Sequence, residues 1–197
     1  KMQRKRYFNG RTNETKEESP LYLVKGEQQY ISYGKGAMAF NTLSHWLGKD
    51  KLHDILKEFF NHYKNKEAPY PTSINLLNFI NANTPDDLTY LVSDYFETVT
   101  LHEAKINAVT TNENRTTVNL EYSKYRNDSL KVSLPINDML EVGFYNDENE
   151  LILIEKIRIA KKENVFTIQL KEKPSKVVID PNYLLIDKNV NDNVFEL

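Results

Sequence analysis

Asp94-Tyr95-Phe96-Glu97-Thr98-Val99-Thr100-Leu101-His102-Glu103-Ala104-Lys105-Ile106 is the stretch on which the fold turns. Before it, apolar residues recur at helical spacing. After it, they alternate with polar residues, as in half-buried strands. The chain is therefore expected to be an α+β protein in two segments. A helical lobe would span residues 1–103, and an antiparallel β-sandwich residues 104–197.

On the N-terminal side, Leu88, Leu91, Val92, Tyr95 and Phe96 share one helix face. That helix is expected to begin at Thr84-Pro85-Asp86-Asp87, where a capping hydroxyl is followed by proline and two acids. Thr72 looks like the cap of an earlier helix carrying Ile74, Leu77 and Ile80. Residues 50–63 place Leu52, Ile55, Leu56, Phe59 and Phe60 at i, i+3, i+4 spacing, and residues 35–47 do the same up to Gly48. Further back, the basic run Lys1 to Phe8 followed by Asn9-Gly10 reads either as the last turns of a helix or as a disordered tail. Residues 11–20 read as loop. On the C-terminal side, strands are expected at 116–122, 131–134, 151–159, 165–170 and 176–179. Turn clusters at Asn112 to Asn114, Asn127-Asp128, Asn146-Asp147 and Asp180-Pro181 separate them.

The 197 residues carry a formal charge of −2 and no cysteine. Near-balanced charge gives no electrostatic reason to expect nucleic acid or an anionic membrane surface as a partner. Lack of cysteine excludes disulfides, thiolate zinc sites and cysteine nucleophiles. No stretch approaches the roughly 18 to 20 apolar residues of a membrane span, and no apolar core follows the basic N-terminus as in a signal peptide. The chain as given is expected to be soluble. Its histidines, His45, His53, His62 and His102, form no H-E-x-x-H pair, and neither a G-x-S-x-G elbow nor a phosphate-binding glycine loop is present. The Asn-x-Ser/Thr triplets at Asn13, Asn114 and Asn127 read as coincidence in an asparagine-rich chain. No metal ligand and no cofactor is therefore expected from these residues.

One stretch carries more: Tyr30-Ile31-Ser32-Tyr33-Gly34-Lys35-Gly36-Ala37-Met38. The two glycines allow a tight turn and a close approach, and Tyr33 stands at a helix entrance where its hydroxyl could enter a cleft. A tyrosine there is more often packing than chemistry.

Tyr33-x-Lys35-Gly36-Ala37 resembles the Tyr-x-Lys-Gly-small motif of the gluzincin aminopeptidases, the aminopeptidase N-type zinc metallopeptidases. The resemblance continues through Leu47-Gly48, Phe59-Phe60 and the Asp94 to Glu97 run. It is strongest to bacterial proteins in which such a domain is fused behind an ABC-transporter-type permease. Those are similar at Gln29 to Tyr33, Pro69-Tyr70-Pro71-Thr72-Ser73, Phe96 to Leu101, Ile179-Asp180-Pro181 and Leu185-Ile186-Asp187. Where this chain has Gly34, the family commonly has an acidic or bulky residue. The resemblance implies that the chain is the C-terminal part of a larger peptidase that hydrolyses peptides at their N-termini. It implies that Tyr33 donates a hydrogen bond to the oxyanion of the tetrahedral intermediate. A phenol, protonated at neutral pH, can do this. It further implies that zinc belongs to the parent, upstream of Lys1, and that the partners are a peptide substrate and the rest of the parent chain. Membrane attachment would come only through upstream parent segments. The rival reading is a metallopeptidase-like binding module that has lost its zinc ligands. A third is an unrelated helical-plus-sandwich adhesion protein.

Overall fold

A computed structural model describes residues 2–126 and 132–197. The chain divides into two compact units, Lys1–Thr100 and Leu101–Leu197. Helices precede strands, so the α+β class expected from the change of periodicity is the one adopted.

The first unit opens with α1 (Met2–Asn13), which buries Tyr7 and Phe8. Asn9-Gly10 does not end this helix, contrary to the sequence reading, and the first of the residues read as loop are helical. Gly10 serves a different purpose: a methyl there would lie 2.2 Å from Cβ of Tyr30. Its missing side chain lets another segment approach mid-helix. After a short 3₁₀ turn at Leu21–Leu23, a π-helical turn over Tyr30–Lys35 runs into α2 (Gly36–Leu47). Gly48, at φ 92° and ψ 138°, takes a positive-φ conformation open to glycine and stops α2. The amphipathic helix α3 (Lys49–Tyr63) buries Leu52 and Ile55. Next comes α4 (Ser73–Asn83), entered through Thr72, whose backbone N–H donates to Asn75 Oδ1 at 2.8 Å.

The segment read as one further helix is irregular. It comprises a 3₁₀ turn (Asp86–Leu88), a single α turn, α5 (Thr89–Val92), and a π turn (Ser93–Glu97). Thr84 does not cap it. Its hydroxyl donates back to the Ile80 carbonyl at 2.8 Å and closes α4 instead.

In the second unit, β1 (Thr100–Asn112), β2 (Arg115–Arg126) and β5 (Glu163–Gln169) form one sheet. A second sheet runs in the order β4 (Leu151–Ile159), β3 (Asp138–Tyr145), β6 (Lys176–Ile179), β7 (Val194–Glu196). Both are antiparallel; Val118 faces Phe166 across β2 and β5, and Val142 faces Glu155 across β3 and β4. Val118, Leu120 and Tyr122 from the first sheet join Leu140, Val142, Phe144, Val177 and Ile179 from the second in one apolar cluster. β4 and β6 occupy the residues expected. The strand expected at 131–134 is not formed over its described part, 132–134, where Ser133 makes one isolated bridge to Tyr125. Asn127, Asp128 and Lys131 lie outside the described residues. No described helix is long and apolar enough to cross a membrane.

Candidate functional site

Tyr33 sits in the π turn that runs directly into α2, at the entrance of that helix. In that turn the Gly36 N–H donates to the Ile31 carbonyl, five residues back. Such wide turns inside helices recur at functional positions because they re-aim side chains. Ile31, Gly34 and Lys35 are buried, whereas Tyr33 is 59% exposed. No described residue hydrogen-bonds its hydroxyl. The Arg6 guanidinium lies over the ring, 4.8 Å from its centroid, and steadies it from one side.

Gly34 has a local explanation. A Cβ there would meet the backbone nitrogen and Cα of Tyr7 at 3.0 Å. The turn is pressed against α1, and an acidic or bulky residue at this position would force the two apart.

Lys35 anchors the turn from beneath. Its ammonium is fully buried, donates to the Thr98 carbonyl at 2.9 Å and stands 3.8 Å from Glu18 Oε1. Burial pushes its pKa down to about 8, with the Glu18 carboxylate acting in the opposite sense. Glu18 also accepts from the Tyr7 hydroxyl at 2.7 and 2.9 Å and from Arg11 Nε at 2.7 Å. Burial, reinforced by that carboxylate, holds the Tyr7 phenol far above its usual range. The loop carrying Glu18 is pinned in turn by buried Gln28, whose amide donates to the Glu17 carbonyl at 3.0 Å. Sequence reading missed this network. Its members are Tyr7, Arg11, Glu18 and Lys35, and no short spacing links them.

Beside Tyr33 opens a cavity of about 390 Å³. Ala37 and Phe40 of α2 stand one and two turns beyond Tyr33 on its own helix face, and Leu76, Leu77 and Phe96 close the far side. Phe40 and Phe96 meet edge to face at 5.2 Å. No charged residue lines the cavity.

Of the histidines in this unit, His53 is exposed on α3, His45 lies edge-on to Trp46, and His62 Nε2 is 2.7 Å from Lys66 Nζ. In the strand unit, His102 Nδ1 accepts from the Ile186 N–H at 3.3 Å. The tail residues behind the resemblance are structural. Asp180 accepts from the Leu184 and Leu185 amides at 2.7 and 2.9 Å, and Asp187 accepts from the Ala104 amide at 3.2 Å.

No protein-family model and no curated protein matches the chain. Among solved structures, it is similar in fold to Legionella pneumophila aminopeptidase A in complex with aspartic acid, with a TM-score of 0.54 and 15% identity over 80% of this chain. The chain spans only 18% of the length of that neighbour. At this identity the likeness speaks for a peptidase-like fold and nothing finer.

Proposed function

We infer that the chain is the C-terminal part of an aminopeptidase N-like zinc metallopeptidase domain. Its helical unit would complete a catalytic lobe, and its two sheets would form a β-sandwich without chemistry of its own. The observation that carries this reading is the presentation of Tyr33. An exposed phenol whose hydroxyl no described residue bonds stands beside a cavity, on a turn anchored by a buried lysine. A tyrosine kept for packing would bury its ring and satisfy its hydroxyl. The aminopeptidase-like fold of the solved neighbour points the same way.

In the parent, the Tyr33 hydroxyl donates to the oxyanion that forms when water attacks the peptide carbonyl. Lys35 holds the turn in register through Thr98 and Glu18, so the donor is positioned before the charge develops. H-E-x-x-H does not occur among these residues, and none of the chain's side chains is assigned to a metal. Zinc would be held by upstream residues and would supply the activated water there. Fusion of the parent to an ABC-type permease is the arrangement the sequence resemblance favours.

The test is the full-length protein from the same gene. It is expected to carry H-E-x-x-H and a following glutamate upstream of Lys1 and to release N-terminal residues from short peptides. Substituted ligands and no peptide hydrolysis would instead support the metallopeptidase-like binding module.

A further inference from the structure

We propose that residues 187–193 of the strand unit hold a calcium ion. The run Asp187-Lys188-Asn189-Val190-Asn191-Asp192-Asn193 offers a side-chain oxygen at alternate positions and then at two in succession. Its first five residues follow the D-x-[DN]-x-[DN] spacing of calcium loops, in which a short turn brings successive oxygens to one centre. The sixth residue is Asp192 where EF-hand loops carry glycine, so the match is one of oxygen spacing and not of that motif as a whole.

Such spacing also arises in ordinary turns, and two buried oxygens set this one apart. Asn193 is only 2% exposed, and its amide bonds the carboxylate of Asp187, itself buried, so the side chain is turned into the loop. Its Oδ1 has no hydrogen-bond donor among the described residues, and neither has the buried Oδ1 of Asp192. Acceptors withdrawn from water without a donor are costly, and a cation would meet both. Asn189 ties the set together: its backbone N–H donates to Asp187 Oδ1 at 2.9 Å and its Nδ2 to Asp192 Oδ2 at 2.7 Å. Strands fix the loop from outside, through the Ile106 N–H to the Asp192 carbonyl at 3.0 Å and the Ile179 N–H to the Asn193 carbonyl at 2.8 Å.

A cavity of about 260 Å³ lies against Asp187, Asn189 and Asp192, with Glu103 and Glu121 on its wall. Lys105, exposed, is the one basic residue lining it, and Lys162 stands 2.6 Å from Glu121. The loop therefore carries net negative charge, its ligands are all oxygen, and the cavity admits the waters that complete a shell of about six to eight ligands. These features favour calcium over magnesium, which demands a tighter octahedron, and over zinc, which prefers nitrogen and sulfur. The ion is distinct from the catalytic zinc of the parent, to which no side chain of this chain is assigned. It clamps the loop between β1 and β6 and depends on this chain alone, not on the peptidase reading.

The chelator-treated chain, titrated with calcium chloride and in parallel with magnesium chloride, tests the site by calorimetry and amide NMR. Calcium should bind as one equivalent with a dissociation constant of roughly 10⁻⁵–10⁻³ M, where sites with few charged ligands fall. It should shift the amides of residues 187–193 and raise the melting temperature of the strand unit, and magnesium at equal concentration should do neither. Asp192→Asn keeps the shape, removes one charge and should weaken binding about tenfold or more. Asn193→Asp should change the sign of its effect with the ion. Without calcium, a further buried carboxylate beside Asp187 should lower the melting temperature, and calcium should raise it by more than in the unaltered chain. No shift at about 10 mM calcium, well above the weakest expected constant, would overturn the site. So would equal shifts with magnesium, or an unchanged affinity in Asp192→Asn.

Discussion

Among the buried ionisable groups of the two units, Lys35 and Asp180 fix backbone in the same way but are opposite in kind. Lys35, in the helical unit, reaches a backbone carbonyl and faces Glu18. Asp180, in the strand unit, collects the amides of Leu184 and Leu185. Both use a buried charge-capable group to fix backbone that has no ladder of its own. What they hold in place differs. Asp180, at φ 52°, closes a loop whose side chains Leu184, Leu185 and Ile186 turn inward. Lys35 holds a turn that pushes Tyr33 outward. A buried anchor beneath an exposed side chain whose hydroxyl no described residue bonds suggests presentation, whereas one beneath an inward-facing loop suggests architecture.

Removing the anchors should separate these roles. Asp180→Ala strands two buried amides at about 1–3 kcal/mol each, so a loss of about 2–6 kcal/mol is expected on urea unfolding of the strand unit. The Tyr33 environment should not respond. Lys35→Met leaves the Thr98 carbonyl without its donor and should cost the helical unit about 1–3 kcal/mol. It should also broaden the Tyr33 ring resonances by NMR. If Tyr33 stays ordered in Lys35→Met, the anchoring role is wrong.

Acid and base should also act oppositely on the two units. Burial raises Asp180 from 3.8 to about 7. Across that window the folded carboxyl holds more protons than the unfolded one, so the strand unit loses stability as pH rises from about 4 to 7. Burial lowers Lys35 from 10.5 to about 8. There the unfolded lysine holds more protons, so the helical unit gains stability as pH rises from about 8 to 10.5. Amide exchange at Leu185 and at Gly36, corrected for intrinsic rates, should report the two slopes separately. Lys35→Met should erase the second while leaving the first.

The helical unit was legible wherever a local rule decides the outcome: apolar spacing in α3, the glycine stop at Gly48, the Thr72 entry to α4. It was illegible where tertiary contact overrides the rule. Gly10 looks like a helix end, yet packing against Tyr30 makes it a mid-helix residue. Thr84 looks like a cap for the helix ahead, yet it bonds the helix behind. Among strands, β4 and β6 announce themselves by alternation. β3 does not, because Glu141 and Gly143 are buried on the face opposite Leu140, Val142 and Phe144. β1 was hidden by its buried polar residues, Thr100 and His102, and β7 by its three-residue length. At the site, Tyr33 could be found from its motif. Glu18 could not, since its partners come from α1 and from the turn seventeen residues further on.

The smallest expected change in stability carries the central claim. Tyr33→Phe removes a hydroxyl that no described residue bonds, from a ring that is mostly exposed. The fold should change by no more than about 0.5 kcal/mol. In the full-length protein, losing one oxyanion donor should lower turnover by about a hundredfold or more. The decisive measurement is therefore kcat and melting temperature determined together on full-length Tyr33→Phe. Collapsed turnover at an unchanged melting temperature is the predicted result. A destabilised enzyme that keeps its full activity would contradict the account and return Tyr33 to packing.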